Sequence, residues 1–169
     1  MKKLNEFKET IKAKVIFDPK DLTRKHGKQS EWKKHVIAFI DEPDFCEYFS
    51  WFLKKRYSLT LVAPIRGVHM TLVNDRLTDG IDATPTKYKS SKELYNGMVI
   101  DIDYNLDVRT DGKYWWFMAR SNDALFIRKQ IGLKPTPYFG FHITVARVEG
   151  REFEKEHGIY IHNLIKREL

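Results

Sequence analysis

The sequence predicts a single α+β domain running from residue 1 to 169. Three observations predict it. A seven-residue strand pattern occurs twice, as Gly67-Val68-His69-Met70-Thr71-Leu72-Val73 and Gly140-Phe141-His142-Ile143-Thr144-Val145-Ala146. An amphipathic helix pattern covers 41–56. Two alternating apolar runs flank Thr110-Asp111-Gly112-Lys113, a favoured hairpin signal.

In the two strand patterns, apolar and polar residues alternate with period two. Residues two apart project from one face of a strand. His69 and Thr71 therefore share a face, and His142 and Thr144 share a face. A lone His-x-Thr is ordinary strand chemistry, since Thr favours strands. Two copies inside matched patterns point instead to phosphate chemistry. Imidazole titrates near neutral pH and can move protons, and a hydroxyl can donate to a phosphate oxygen.

Taken in order, residues 1–12 read as a short charged helix or arm, and Ala13–Phe17 as a strand. Asp18–Ser30 reads as a loop. Its run Arg24-Lys25-His26-Gly27-Lys28 is either a phosphate contact or a solvated basic loop. His35–Ile40 is a second strand. Asp41 or Asp44 caps the helix and Pro43 suits its first turn. Phe45, Tyr48, Phe49, Phe52 and Leu53 form its core stripe. Cys46 lies in the same pattern and reads as core, not as a nucleophile. Lys54, Lys55 and Arg56 complement the negative end of the helix dipole. Leu59–Ala63 is a further strand, broken by Pro64.

Asn74–Ser91 is polar and reads as a surface excursion or a mobile flap near the site, with a short helical turn over Ser91–Tyr95. In the hairpin, an Asp-Gly turn would set Val108 against Trp115 and Leu106 against Phe117. With Ile100 and Ile102, these form the expected buried face. The other face carries Asp103, Asn105, Asp107, Tyr114, Trp116, Met118 and Arg120. Trp116 there either stacks on a base or packs under a loop. A register slip of one puts Trp115 in its place. Ser121 or Asn122 caps a helix over Asp123–Ile131, which Gly132 ends. Pro135 and Pro137 mark a loop before the second His-bearing strand, which runs through Val148. The tail from Gly150 carries no chemistry of its own. Helix-forming sequence precedes each His-bearing strand, so the domain reads as two similar α+β halves.

The chain carries a net charge of +7, a bias towards anionic ligands such as nucleotides. A single cysteine excludes an intramolecular disulfide framework and a cysteine-rich zinc site. The N-terminus lacks the apolar segment of a signal peptide, and no apolar run reaches the length of a membrane span. The expected location is the cytoplasm.

The two His-x-Thr strands, the single α+β domain and the basic charge resemble the 2H phosphoesterase superfamily. The layout from Asp44 to Val148, including Ile131-Gly132-Leu133 before Phe141-His142-Ile143-Thr144, is similar to a viral branch. That branch includes phage anti-CBASS cyclic-oligonucleotide phosphodiesterases and RNA-repair-like proteins. The resemblance implies a bilobal fold in which two antiparallel sheets face each other across a central cleft, with helices outside. It implies that His69, Thr71, His142 and Thr144 line the cleft and act without metal or other cofactor. The expected partner is a cyclic oligonucleotide or RNA phosphodiester, with no membrane and no obligate protein partner. A viral enzyme of this kind would work in the host cytoplasm.

The expected reaction is cleavage of a 3′–5′ phosphodiester by one His as base and the other as acid, with the threonines holding the non-bridging oxygens. Tyr114, Trp116 and Arg120 are the candidate substrate-binding residues. Arg66 and Arg147 lie near the motifs, and either phosphate neutralisation or a strand-edge ion pair explains them. The alternative enzyme is an RNA 2′,3′-cyclic phosphodiesterase of RNA repair or tRNA processing. The alternative of another class is a non-catalytic RNA-binding module, which predicts salt-sensitive binding without turnover.

Overall fold

A computed structural model describes residues 7, 9–20, 34–58, 61–62, 64, 67–74 and 85–148. The elements in chain order are β1 (Glu9–Phe17), β2 (His35–Phe39), α1 (Pro43–Tyr57), β3 (Leu61–Val62) and β4 (His69–Asn74). They continue with α2 (Pro85–Tyr95), β5 (Val99–Thr110), β6 (Tyr114–Arg120), α3 (Asn122–Ile131) and β7 (His142–Val148).

All the pairings are antiparallel. The sheet runs β3-β7-β4-β2-β1-β5-β6, and β6 returns to pair with β7. Six strands therefore close into one barrel, with β3 as a short extension on β7. This overturns the expected bilobal arrangement of two sheets across a cleft. The physical reason lies in two seams. Lys14↔Val99 to Glu9↔Tyr104 joins β1 to β5, and His69↔Thr144 with Met70↔Ile143 joins β4 to β7. Each seam pairs the edge strands of the two halves, and closure removes the exposed edges that separate sheets would keep. The halves survive as topology: β5-β6-α3-β7 is a strand–strand–helix–strand unit, and β1-β2-α1-β4 matches it once the two-residue β3 between α1 and β4 is set aside.

One face of each barrel strand supplies a common core. Ile11, Ala13, Val15 and Phe17 alternate along β1, and Trp115, Phe117 and Ala119 along β6. Helix α1 packs on this face: the Phe49 ring lies 4.6 Å from Phe117, and Phe45 lies 5.6 Å from Tyr104. Helix α3 adds Ala124, Ile127 and Ile131, all fully buried. Burial on this scale stabilises by roughly 25 cal/mol per Å² of apolar surface.

Several local expectations need correction. Residues 9–12 extend β1 and are not helical. The N-cap of α1 is Glu42, with no side-chain cap bond, rather than Asp41 or Asp44; Pro43 still opens the helix. Tyr48 is 54% exposed and stands outside the core stripe. Helix α2 starts at Pro85, well before Ser91. It is anchored by Asp18, which accepts from Tyr88 Oη at 2.8 Å and pairs with Lys92 at 2.7 Å. The excursion between β4 and α2, the 24–28 run, the Cys46 side chain, Arg66 and the tail lie outside the described residues.

The hairpin forms, but its register is two residues off the expected one: Val108 faces Phe117 and Thr110 faces Trp115. Asp111 accepts from Lys113 N and Tyr114 N, and Thr110 Oγ1 accepts from Gly112 N, which makes the turn longer than two residues. An irregularity between Tyr104 and Val108 then turns Leu106 out, leaving it 57% exposed. Ser121 caps α3 by accepting from Ala124 N.

Candidate active site

The two His-x-Thr motifs lie side by side at the β4–β7 seam. His69 sits directly across from Thr144, and the same register sets Thr71 across from His142. Directly opposed residues share a face, with Cβ atoms about 4.5–5.5 Å apart, and diagonal neighbours stand about 7–8 Å apart. All four side chains therefore crowd one patch, with the imidazoles on its diagonal. They face away from the core residues Met70 and Ile143, and all four are half-buried.

Both rings are held the same way. His69 Nδ1 lies 2.7 Å from the Gly67 carbonyl, and His142 Nδ1 lies 3.3 Å from the Gly140 carbonyl. A carbonyl can only accept, so each Nδ1 carries the proton and donates it. That fixes the tautomer and makes Nε2 the nitrogen that gains or gives up a proton. Each glycine closes a four-residue turn begun by a proline, with Gly67 N donating to Pro64 O and Gly140 N to Pro137 O. Both glycines sit in the left-handed region, at φ +71° and +70°. The seven-residue repeat thus begins earlier than the glycine, at a proline three residues upstream. The prolines are visible in the sequence, but only their shared spacing to the glycine would have revealed them.

The flanking strands repeat the arrangement. On β2, Phe39 faces His69 and Ile37 faces Thr71; on β6, Met118 faces His142 and Trp116 faces Thr144. Phe39 lies over Gly67, and Met118 lies over Gly140. A bulge follows each threonine. The pairing skips Leu72 on β4 and Val145 on β7. Leu72–Val73 and Val145–Ala146 are consequently buried as adjacent pairs. The second bulge restores the alternation one step late, so Arg147 lands on the histidine face opposite Tyr114. Bulges re-aim side chains in this way near functional sites.

Of the candidate binding residues, Trp116 is the one brought to the motifs. It is half-buried, and its ring lies 6.2 Å from that of His142. Trp115 belongs to the core at 1% exposure. Tyr114 lies further along β6, with Lys113 Nζ 5.7 Å from its ring. Arg120 is not brought to the motifs. It stands two residues beyond Met118, pairs with Asp103 at 3.3 Å and covers the Phe7 ring.

Burial pushes the His142 imidazole below its ordinary value of 6.5, partly offset by its bond to the Gly140 carbonyl. Across the strands His142 is flanked by Met118 on β6 and, by continuation of the β4–β7 register, by Thr71 on β4, neither of them charged.

Arg128 ties the two motif segments together. Its side chain is 1% exposed and donates to Leu72 O beside the first bulge, to Lys134 O and to Thr136 O. It thus links β4 to the loop leading into the second proline turn. None of the described helices is long and apolar enough to cross a membrane. No family model, curated protein or solved structure matches the chain.

Proposed function

We propose that the protein is a phosphodiesterase of the 2H type that cleaves 3′–5′ bonds of cyclic oligonucleotide messengers by paired histidine acid–base catalysis. The observation that carries this reading is the β4–β7 register, which sets two imidazoles of one tautomer on the diagonal of a single patch. A phosphodiester seated there meets Nε2 of one ring on its attacking side and Nε2 of the other on its leaving side. One ring takes the proton of the ribose 2′-hydroxyl as its oxygen bonds phosphorus. The other enters as the imidazolium, protonated on both nitrogens, and gives its Nε2 proton to the departing 5′-oxygen, leaving a 2′,3′-cyclic phosphate that water then opens. Burial favours the neutral form of His142, the form a general base needs. Thr71 and Thr144 donate to the non-bridging oxygens as their charge rises. Trp116 stacks on a base next to the scissile phosphate, and the net charge of +7 favours the anion. Following the resemblance of the Asp44–Val148 layout, the biological role is a phage counter-defence against cyclic-nucleotide signalling in the host cytoplasm.

The test is a substrate panel in EDTA with product analysis: cyclic di- and trinucleotides against a linear RNA ending in a 2′,3′-cyclic phosphate. Linear products from the cyclic messengers, lost in both His69→Ala and His142→Ala, are expected. Turnover of the RNA end alone would assign the protein to RNA repair. Full activity in either single variant would refute the paired-histidine mechanism.

A further inference from the structure

The turn between Pro137 and Gly140 carries two aromatic rings at its tip, Tyr138 and Phe139. They are 79% and 70% exposed, and they meet edge to face at 4.9 Å. Aromatic side chains normally bury most of their area, and no core contact explains this pair. The turn is bonded directly to the site, because the Gly140 carbonyl holds His142 Nδ1. Phe139 and His142 are three residues apart, at most about 10 Å of chain. In chain order the turn pair Tyr138–Phe139 comes before β7, His142 opens the strand, and Thr144 follows with Trp116 opposite it. One aromatic group thus precedes His142 along the chain, in the turn whose glycine carbonyl holds its ring, and the other stands across from the threonine that follows it.

We infer that Tyr138 and Phe139 form a second nucleobase platform, on the opposite side of the scissile phosphate from Trp116, so that the site takes a phosphodiester with a base on each side. The inference rests on the proposed seating of the phosphate between His69 and His142. It narrows the substrate class to a unit of at least two nucleosides and disfavours a mononucleoside cyclic phosphate. The occupant is a base, not a lipid, because the rings adjoin the phosphate site through the turn that orients His142. Stacking on any of the four bases is chemically similar, so this platform gives affinity with little base preference.

The experiment measures equilibrium binding of a 2′-deoxy dinucleotide, which lacks the attacking hydroxyl, and of two analogues missing one base or the other. Tyr138→Ala/Phe139→Ala should weaken the full ligand about 5- to 150-fold, the range of one lost stack. It should leave one abasic analogue within twofold, and Trp116→Ala should spare the other. Both positions of the turn pair are solvent-exposed, and retained binding of the spared analogue shows that the variant is folded. An unchanged Kd for the full ligand, or equal losses on both analogues, would overturn the inference. So would an unchanged Kd accompanied by lost binding to phosphatidylcholine vesicles, which would assign the rings to a membrane surface. The expected binding pattern without cleavage of the corresponding ribonucleotide would uphold the platform and reject the phosphodiesterase reading.

Discussion

Substituting the two motif glycines separates backbone strain from crowding. Both sit near φ +70°, where an alanine costs about 1–2 kcal/mol. Their surroundings differ. A Cβ on Gly140 meets Met118 Cε at 3.4 Å, the end of a flexible chain that can give. A Cβ on Gly67 meets Phe39 Cε2 at 2.6 Å, the edge of a rigid ring. Overpacking of that kind adds about 1–3 kcal/mol. Gly140→Ala should thus cost about 1–2 kcal/mol, and Gly67→Ala about 2–5 kcal/mol. For a domain of this size, thermal midpoints should fall by about 2–8 °C and about 4–20 °C respectively. Each substitution also disturbs the carbonyl that holds a histidine. Turnover should drop about ten- to hundredfold if the ring moves by as much as 1 Å. Phe39→Leu should recover part of the Gly67→Ala loss and none of the Gly140→Ala loss, a coupling that a double-mutant cycle reads directly. Equal losses at the two glycines, or no coupling between positions 39 and 67, would refute the reasoning.

Arg128→Met strands three carbonyls at a nearly buried site. Chemical denaturation should show a loss of about 3–5 kcal/mol, as for other broken buried charged networks; a loss under about 1 kcal/mol would show that the carbonyls find other donors. His142 ties stability to pH. Its folded value lies below its unfolded one, so the unfolded chain binds the proton more readily. Stability should fall as pH drops below about 6.5 and level off once the depressed folded value is passed. The difference in urea midpoint between the native chain and His142→Gln, followed from pH 8 to 5, isolates this contribution; a difference that stays constant would contradict it. Ser121→Ala removes the cap bond to Ala124 N and should cost about 1 kcal/mol in the same assay.

Much of the local structure was legible because it depends on local chemistry. Period two paired each His with its Thr, Ser121 and Gly132 bounded α3, and the Asp111-Gly112 turn announced the hairpin. What the sequence hid was long-range. Nothing in the residues of β1 and β5 says that they pair, so closure of the barrel could not be read, and a two-sheet cleft took its place. The adjacency of the motifs on neighbouring strands was hidden for the same reason. Bulges defeated strict counting as well. Alternation along β7 assigns Arg147 to the core face, whereas the skip at Val145 returns it to the face of His142. The irregularity after Tyr104 similarly exposes Leu106, an apolar residue that alternation buries.

In the proposed mechanism two imidazoles of one tautomer share a single phosphate. Long-range ¹H–¹⁵N spectra of the histidine rings, recorded while a 2′-deoxy dinucleotide is titrated in, test it most directly. His69 and His142 should both show Nδ1–H tautomers, with Nε2 shifts that saturate together at one equivalent of ligand. A proton on Nε2 of either neutral ring, or a ligand that moves one ring and leaves the other untouched, would contradict it.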